Sequence, residues 1–200
     1  FTDADVDAER KIVKEERRLR IESNFFAQQM EELQRLSFPV HPYGQSIIGS
    51  MSDLDKLSTS TIQDFFNTYY QPGNIIIVIA GDFNYQQTKL WITKYYGSIA
   101  GRKVKPPQIV DEPQQNAEKR IEMIRPIQAE SLMVGYRIPS IYDQDSPGLS
   151  MLGWALFGMT SSRAHMRLVR EKKIALSVSG DALLEKHPFL FFISVEMKKG

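Results

Sequence analysis

Residues 69–82 read Tyr-Tyr-Gln-Pro-Gly-Asn-Ile-Ile-Ile-Val-Ile-Ala-Gly-Asp. From Asn74 to Ala80 nearly every position is β-branched, as in a strand covered on both faces. Gln71-Pro72-Gly73 opens this run and Gly81-Asp82 closes it. Upstream, Ser60 with Gln63 forms a capping-box pattern ahead of Ile62, Phe65, Phe66 and Tyr69, which predicts a short helix. Downstream, Asn84 with Gln87 repeats the pattern, and Leu90, Trp91, Ile92, Tyr95 and Ile99 predict a helix ending near Gly101. Strand then helix is the local order. Tyr69, Tyr70, Trp91, Tyr95 and Tyr96 read as packing aromatics rather than a base-stacking platform, since basic residues do not interleave with them.

Toward the N-terminus, no glycine or proline interrupts Asp5 to Leu36, a stretch rich in Glu, Arg, Lys, Gln, Met and Ala. One long helix is predicted there, ended by Pro39, Pro42 and Gly44. Toward the C-terminus, residues 102–118 carry three prolines and no hydrophobic periodicity, the composition of a linker. Beyond it, Arg120–Arg125 and Leu132–Ile138 alternate as strands. Ser146-Pro147 sets an N-cap and N1 proline for a helix through about Phe157, and Thr160-Ser161-Ser162 starts another. Leu176 and Val178 alternate with serines, and Phe189, Phe191, Ile193, Val195 and Met197 line one face of a last strand. The class is α+β. Residues 1–101 read as the C-terminal part of one α/β unit, 102–118 as a linker and 119–200 as the N-terminal part of a second.

Composition narrows the functions. Twenty-five basic against 24 acidic residues gives no basic excess for nucleic acid. With no cysteine, a zinc ion would have to be held by histidine and carboxylate. No apolar run approaches the roughly 20 residues of a membrane-spanning helix. The chain opens at Phe1 and closes at Gly200 just past a strand-like run, so both ends read as truncated.

Within the first helix, Glu9 and Glu16 are seven residues apart and drift only about 20° around its axis. They share a face, but about 10 Å of axial rise separates them, whereas a zinc-bound carboxylate oxygen lies about 2 Å from the metal. One ion would take one of them directly, leaving the other to orient a ligand or a water. Local sequence supports a second reading, a solvated face with i,i+4 pairs such as Glu16 with Arg20.

A larger pattern joins these pieces. Glu9-x-x-x-Val13-x-Glu15-Glu16 is followed by His41-Pro42-Tyr43-Gly44, then Phe65-x-x-x-Tyr69-Tyr70-x-Pro72-x-Asn74, then the apolar run ending in Gly81-Asp82. Gly158-Met-Thr-Ser-Ser162-Arg163 and Leu168-Val169-Arg170-Glu171-Lys172 follow in the second half. This order resembles the insulinase-like (pitrilysin-family) zinc metallopeptidases. The resemblance implies repeated α/β units with a mainly antiparallel sheet and helices on one face. It also implies zinc-dependent hydrolysis of peptides, and a second homologous half in the same chain or an oligomer. By residue-by-residue carry-over, Glu16 matches the third zinc ligand and Glu9 the accessory acid; Glu15 has no assigned role.

The family's inverted H-x-x-E-H helix, two histidines that bind zinc and a glutamate that activates its water, is missing from these 200 residues. His41, His165 and His187 lack that spacing and read as loop, helix-surface and turn residues. The chain is therefore expected to be inactive alone and to bind no zinc, while its parent would be a peptidase. Two alternatives compete: a non-catalytic structural or partner subunit of the same family, and a peptide-binding or assembly module working through an edge strand. An exported or periplasmic bacterial setting completes the expectation.

Overall fold

The stretch from Asp5 to Leu36, predicted as one helix, is two. Helix α1 (Asp3–Arg17) starts on a capping box in which the Thr2 hydroxyl accepts from the Asp5 N–H and the Asp5 carboxylate accepts from the Thr2 N–H. A π-helical turn, Arg18–Glu22, leads to Asn24, whose side chain accepts from the Ala27 N–H at 3.2 Å and opens helix α2 (Phe25–Ser37). Asparagine competes for backbone hydrogen bonds and favours the cap over the helix interior. Ser23 Oγ adds a bond to the Leu19 carbonyl at 2.6 Å, so Ser23-Asn24 ends one helix and begins the next. This is a computed structural model, and it describes residues 1–101 and 103–199. Arg102, which opens the predicted linker, and Gly200 at the end of the chain lie outside the described residues.

The described residues divide into two compact units, one from 1–18 with 48–109 and the other from 19–47 with 110–199. In the first, α1 is tied to the segment carrying helix α3 (Met51–Lys56). Arg10 Nε donates to the Leu54 carbonyl at 3.0 Å, Lys14 Nζ pairs with Asp55 at 2.7 Å, and Arg17 Nη1 donates to the Gly49 carbonyl at 2.7 Å. These cations fall at i, i+4 and i+7 and share one helix face. The charged helix thus docks by hydrogen bonds aimed largely at backbone carbonyls, with Val6 and Leu54 buried. Ser50 and Asp53 cap α3 reciprocally, an S-x-x-D signal not used in the sequence reading.

Helix α4 (Thr59–Tyr69) begins two residues earlier than predicted, because the Ser58 hydroxyl accepts from the Thr61 N–H at 3.1 Å. Helix α5 (Tyr85–Tyr96) starts on Asn84 as predicted, with the Gln87 N–H donated at 2.9 Å, and stops at Gly97 rather than near Gly101. Trp91, Tyr95 and Tyr96 are exposed among the described residues, which departs from their reading as packing aromatics. Ile75–Ala80, predicted as a strand, pairs with no strand among the described residues. Ile76 is 89% and Val78 83% exposed. β-branched composition selects an extended backbone, but a strand also needs neighbours for its N–H and C=O groups.

The second unit holds an antiparallel sheet of β1 (Ser131–Ile138), β2 (Ala175–Leu183) and β3 (Phe189–Met197), in the order β1-β3-β2. Register runs Gly135 opposite Phe192 and Gly180 opposite Ile193. Side chains alternate across β3, so Phe191 and Ile193 face one way and Phe192 the other. Helix α6 (Ser146–Phe157) covers the Phe191 face, its Phe157 ring 6.1 Å from that of Phe191. Helix α2, from the first half of the sequence, reaches the opposite face, with Phe26 6.0 Å from Phe192 and Leu33 against Gly135. A Cβ at Gly135 would lie 3.0 Å from Leu33, and one at Gly180 would lie 2.8 Å from Phe157, so both glycines allow a helix to approach closely. The sheet's helices are thus as predicted on the α6 side, with α2 an addition that the sequence did not indicate.

Two further details differ from expectation. Arg120–Arg125 joins no ladder among the described residues; both neighbours of central β3 are already β1 and β2, and alternation alone names no partner. Ser146 is not the cap of α6 but its first residue, with Asp145 at the cap; its buried hydroxyl donates to the Ser140 carbonyl at 2.9 Å. A short helix α7 (Arg163–His165) passes into a π-helical stretch, Met166–Glu171, before β2.

Candidate metal-ligand helix and the histidine-proline turn

Both predicted site residues lie on α1, Glu16 half-buried and Glu9 exposed. At 3.6 residues per turn, their face lies about 120° around the helix from the stripe of Arg10, Lys14 and Arg17. The face that docks on α3 is therefore not the face that presents the two acids. Glu15, on neither, pairs with Arg18 at 3.2 Å in solvent. Among the described residues no three His, Asp or Glu side chains group as a metal would require. The residues present do not by themselves fit a zinc ion: Glu16 is one oxygen donor, and Glu9 stands about 10 Å along the axis.

The histidines are placed differently from their sequence reading. His165 is half-buried on α7, but His41 is 4% exposed, deep in the second unit rather than a plain loop residue. It caps a 3-10 turn, Pro42–Gly44, with Nδ1 accepting from the Tyr43 N–H at 3.1 Å. Gly44 is required there, since a Cβ would fall 1.9 Å from the Phe38 carbonyl oxygen. The His187 ring sits 5.1 Å from that of His41, and the His187 N–H donates to the Tyr43 hydroxyl at 3.3 Å. Phe38 and Phe189 stack at 5.3 Å to floor the cluster.

Glu112, from the predicted linker, fixes the start of this turn. Its Oε2 accepts from the Val40 and His41 N–H groups, each at 2.8 Å, and its Oε1 lies 3.6 Å from Arg137 Nη2. Arg137 also donates to the Ser37 carbonyl at 2.5 Å and lies 5.4 Å over the Phe38 ring. Burial raises the Glu112 pKa, but the two N–H donors, Arg137 and Lys119 outweigh it and hold the carboxyl below its ordinary range. Burial, then His187, holds the His41 imidazole below the ordinary histidine range against Glu112 and Asp111. Sequence reasoning missed Glu112 because nothing local marks an acid in a proline-rich linker as the anchor of a turn 71 residues upstream.

This mixture of helices with an antiparallel three-stranded sheet matches the fold of solved M16 peptidase structures. A family model described as Peptidase M16 inactive domain matches residues 56–199, and the chain belongs to this family. Helix α1, with Glu9 and Glu16, lies outside the matched residues. The chain is 28% identical over 170 residues to the zinc protease PqqE of Helicobacter pylori, covering 84% of this chain and 38% of that protein. It is 25% identical over 143 residues to the Probable inactive metalloprotease YmfF of Bacillus subtilis, covering 66% and 30%. In fold it resembles the crystal structure of a protease from Helicobacter pylori, with a TM-score of 0.86 at 24% identity over 100% of this chain and 49% of that one. The chain thus spans about two fifths or less of the curated relatives it matches, and about half of that solved structure. None of its described helices is long and apolar enough to cross a membrane.

Proposed function

We propose that the chain is part of a zinc-dependent metalloendopeptidase that hydrolyses peptides or proteins, to which it contributes one metal ligand, Glu16, and an accessory carboxylate, Glu9. The observation that carries this reading is the half-buried Glu16 on a rigidly docked α1, ahead of the motifs that run in family order. Two histidines on an H-x-x-E-H helix outside these 200 residues would complete the ligand set, and a second homologous half would enclose the substrate. We keep 1–101 and 119–200 as parts of two α/β units joined by 102–118. A bacterial exported or periplasmic setting belongs to the same reading, supported by the bacterial sources of the relatives.

A second reading is favoured by the word inactive in both the family description and the name of the Bacillus subtilis relative. On it, the chain serves a non-catalytic partner subunit. The test starts from the chain alone: incubated with zinc and a mixture of unstructured peptides, it should release no fragments by mass spectrometry. Zinc-dependent cleavage would end the proposal that a lone carboxylate is all the chain supplies. The full-length protein then separates the two readings by whether it retains zinc through dialysis.

A further inference from the structure

The His41 and His187 rings, 5.1 Å apart, lie where two turns of the second unit meet: Pro42–Gly44 after α2 and the connection between β2 and β3. Both Nε2 atoms are buried, and neither has a hydrogen-bond partner among the described residues. Nδ1 of His41 is already an acceptor for the Tyr43 N–H, so the neutral ring carries its proton on Nε2. In this tautomer His41 carries a buried donor at Nε2 and has no free lone pair for a metal. Around the pair are the Tyr43, Phe38 and Phe189 rings, Tyr43 lying 4.3 Å from His41 and 4.9 Å from Phe189.

The charged groups that face this pocket come from three elements. Asp111 and Glu112 approach from the proline-rich segment, Arg137 from β1 through Glu112, and His187 from the β2–β3 connection. Lys119 bears on Glu112 while its Nζ donates to the Leu36 carbonyl at 2.9 Å. Glu112 is already committed to two N–H donors and Arg137, which limits what it can give to a protonated ring. A second proton on His41 would lose the Tyr43 N–H bond at Nδ1 and place a buried cation against a neighbouring imidazole.

We propose that His41, packed on His187, is a proton-operated latch: with the His41 ring neutral, the Pro42–Gly44 turn is held against the β2–β3 connection, and mild acidity releases it. The sign follows from linkage. A base whose pKa is lower in the closed state than in the open one takes up protons on opening, so closure weakens as pH falls below the ordinary histidine value near 6.5. Glu112 acts in a different window: its carboxyl is held below its ordinary range and stays ionised where the latch works.

Amide hydrogen exchange on the full chain at pH 7.5 and 5.5, corrected for intrinsic rates, tests this. Peptides covering residues 40–46 and 184–190 should lose up to about tenfold in protection at pH 5.5, the ratio expected for one group with an open-state pKa near 6.5. Protection of the β1–β3 ladder should change less. His41→Asn keeps an acceptor for the Tyr43 N–H and removes the titrating ring, so its protection should be the same at both values. Equal protection of the unaltered chain at both values, or a pH dependence that survives His41→Asn, overturns the proposal. Should that variant not fold, His187→Gln in the folded chain gives the second measurement. The His41 ring followed by NMR should then titrate at higher pH than in the unaltered chain, and an unmoved titration overturns the pairing.

Discussion

On the proposed peptidase reading, replacing Glu16 by glutamine in the full-length protein is expected to lower peptide hydrolysis by more than about 100-fold and to remove bound zinc, because changes to groups that only support a ligand already cost about 10–100-fold. Glutamine keeps the volume and one carbonyl oxygen but loses the charge with which a carboxylate holds zinc. Position matters as much as chemistry: α1 is pinned by Arg10, Lys14 and Arg17 on one face, which leaves the acids on another. Glu9→Gln should fall within the 10–100-fold range while zinc stays near one equivalent, as for a group that orients rather than binds. Metal analysis of the purified variants, beside initial rates, separates the two roles. A Glu16→Gln protein with full zinc and an undiminished rate would remove Glu16 from the ligand set.

The largest expected loss of stability comes from Leu190→Ala. Leu190 is 1% exposed near the start of β3, the central strand, flanked by Arg137 on β1 and Leu183 on β2, and clustered with Phe38 and Phe189. Truncating a leucine in such a site costs about 2–5 kcal/mol, the lost transfer energy plus the cavity left behind. Phe38 and Phe189 are stacked and cannot both move in to refill it. Urea denaturation of the chain measures the change. Leu176→Ala, at a position 50% exposed on the edge strand, serves as the control and should stay within about 0.5 kcal/mol. Equal effects at the two positions would show that the sheet's interior does not carry the unit's stability.

What the sequence made legible was whatever is written in local chemistry. Asn84 with Gln87 fixed the start of α5, and the alternation from Phe189 to Met197 became β3. Features set by distant partners were not legible. Asn24 looked like one more polar residue in a helix-forming run, yet its side chain opens α2. His41 looked like a loop residue beside a proline, and its burial depends on Phe189 and His187, almost 150 positions away. Ile75–Ala80 reads as a strand covered on both faces, yet it pairs with no strand among the described residues, because composition cannot say which strand, if any, lies alongside. The acids of α1 show the same division. Helix geometry puts them on one face, and only the cations that dock the helix establish which way that face does not point.

The run from Ile75 to Ala80, which pairs with no strand among the described residues, also bears on how the chain behaves in concentrated solution. Six uncharged residues without proline, nearly all β-branched and with Ile76 and Val78 almost fully exposed, have the makeup of segments that stack into cross-β fibrils. Open backbone edges give a second molecule's copy of the same run a template for pairing. At rising concentration the chain is expected to self-associate through this segment and to bind an amyloid dye, and Ile77→Lys should delay that onset by placing a charge in every layer. In a longer protein where other strands cover the run, the same six residues would be shielded, so covering strands would serve as protection against fibrils as well as completion of a sheet.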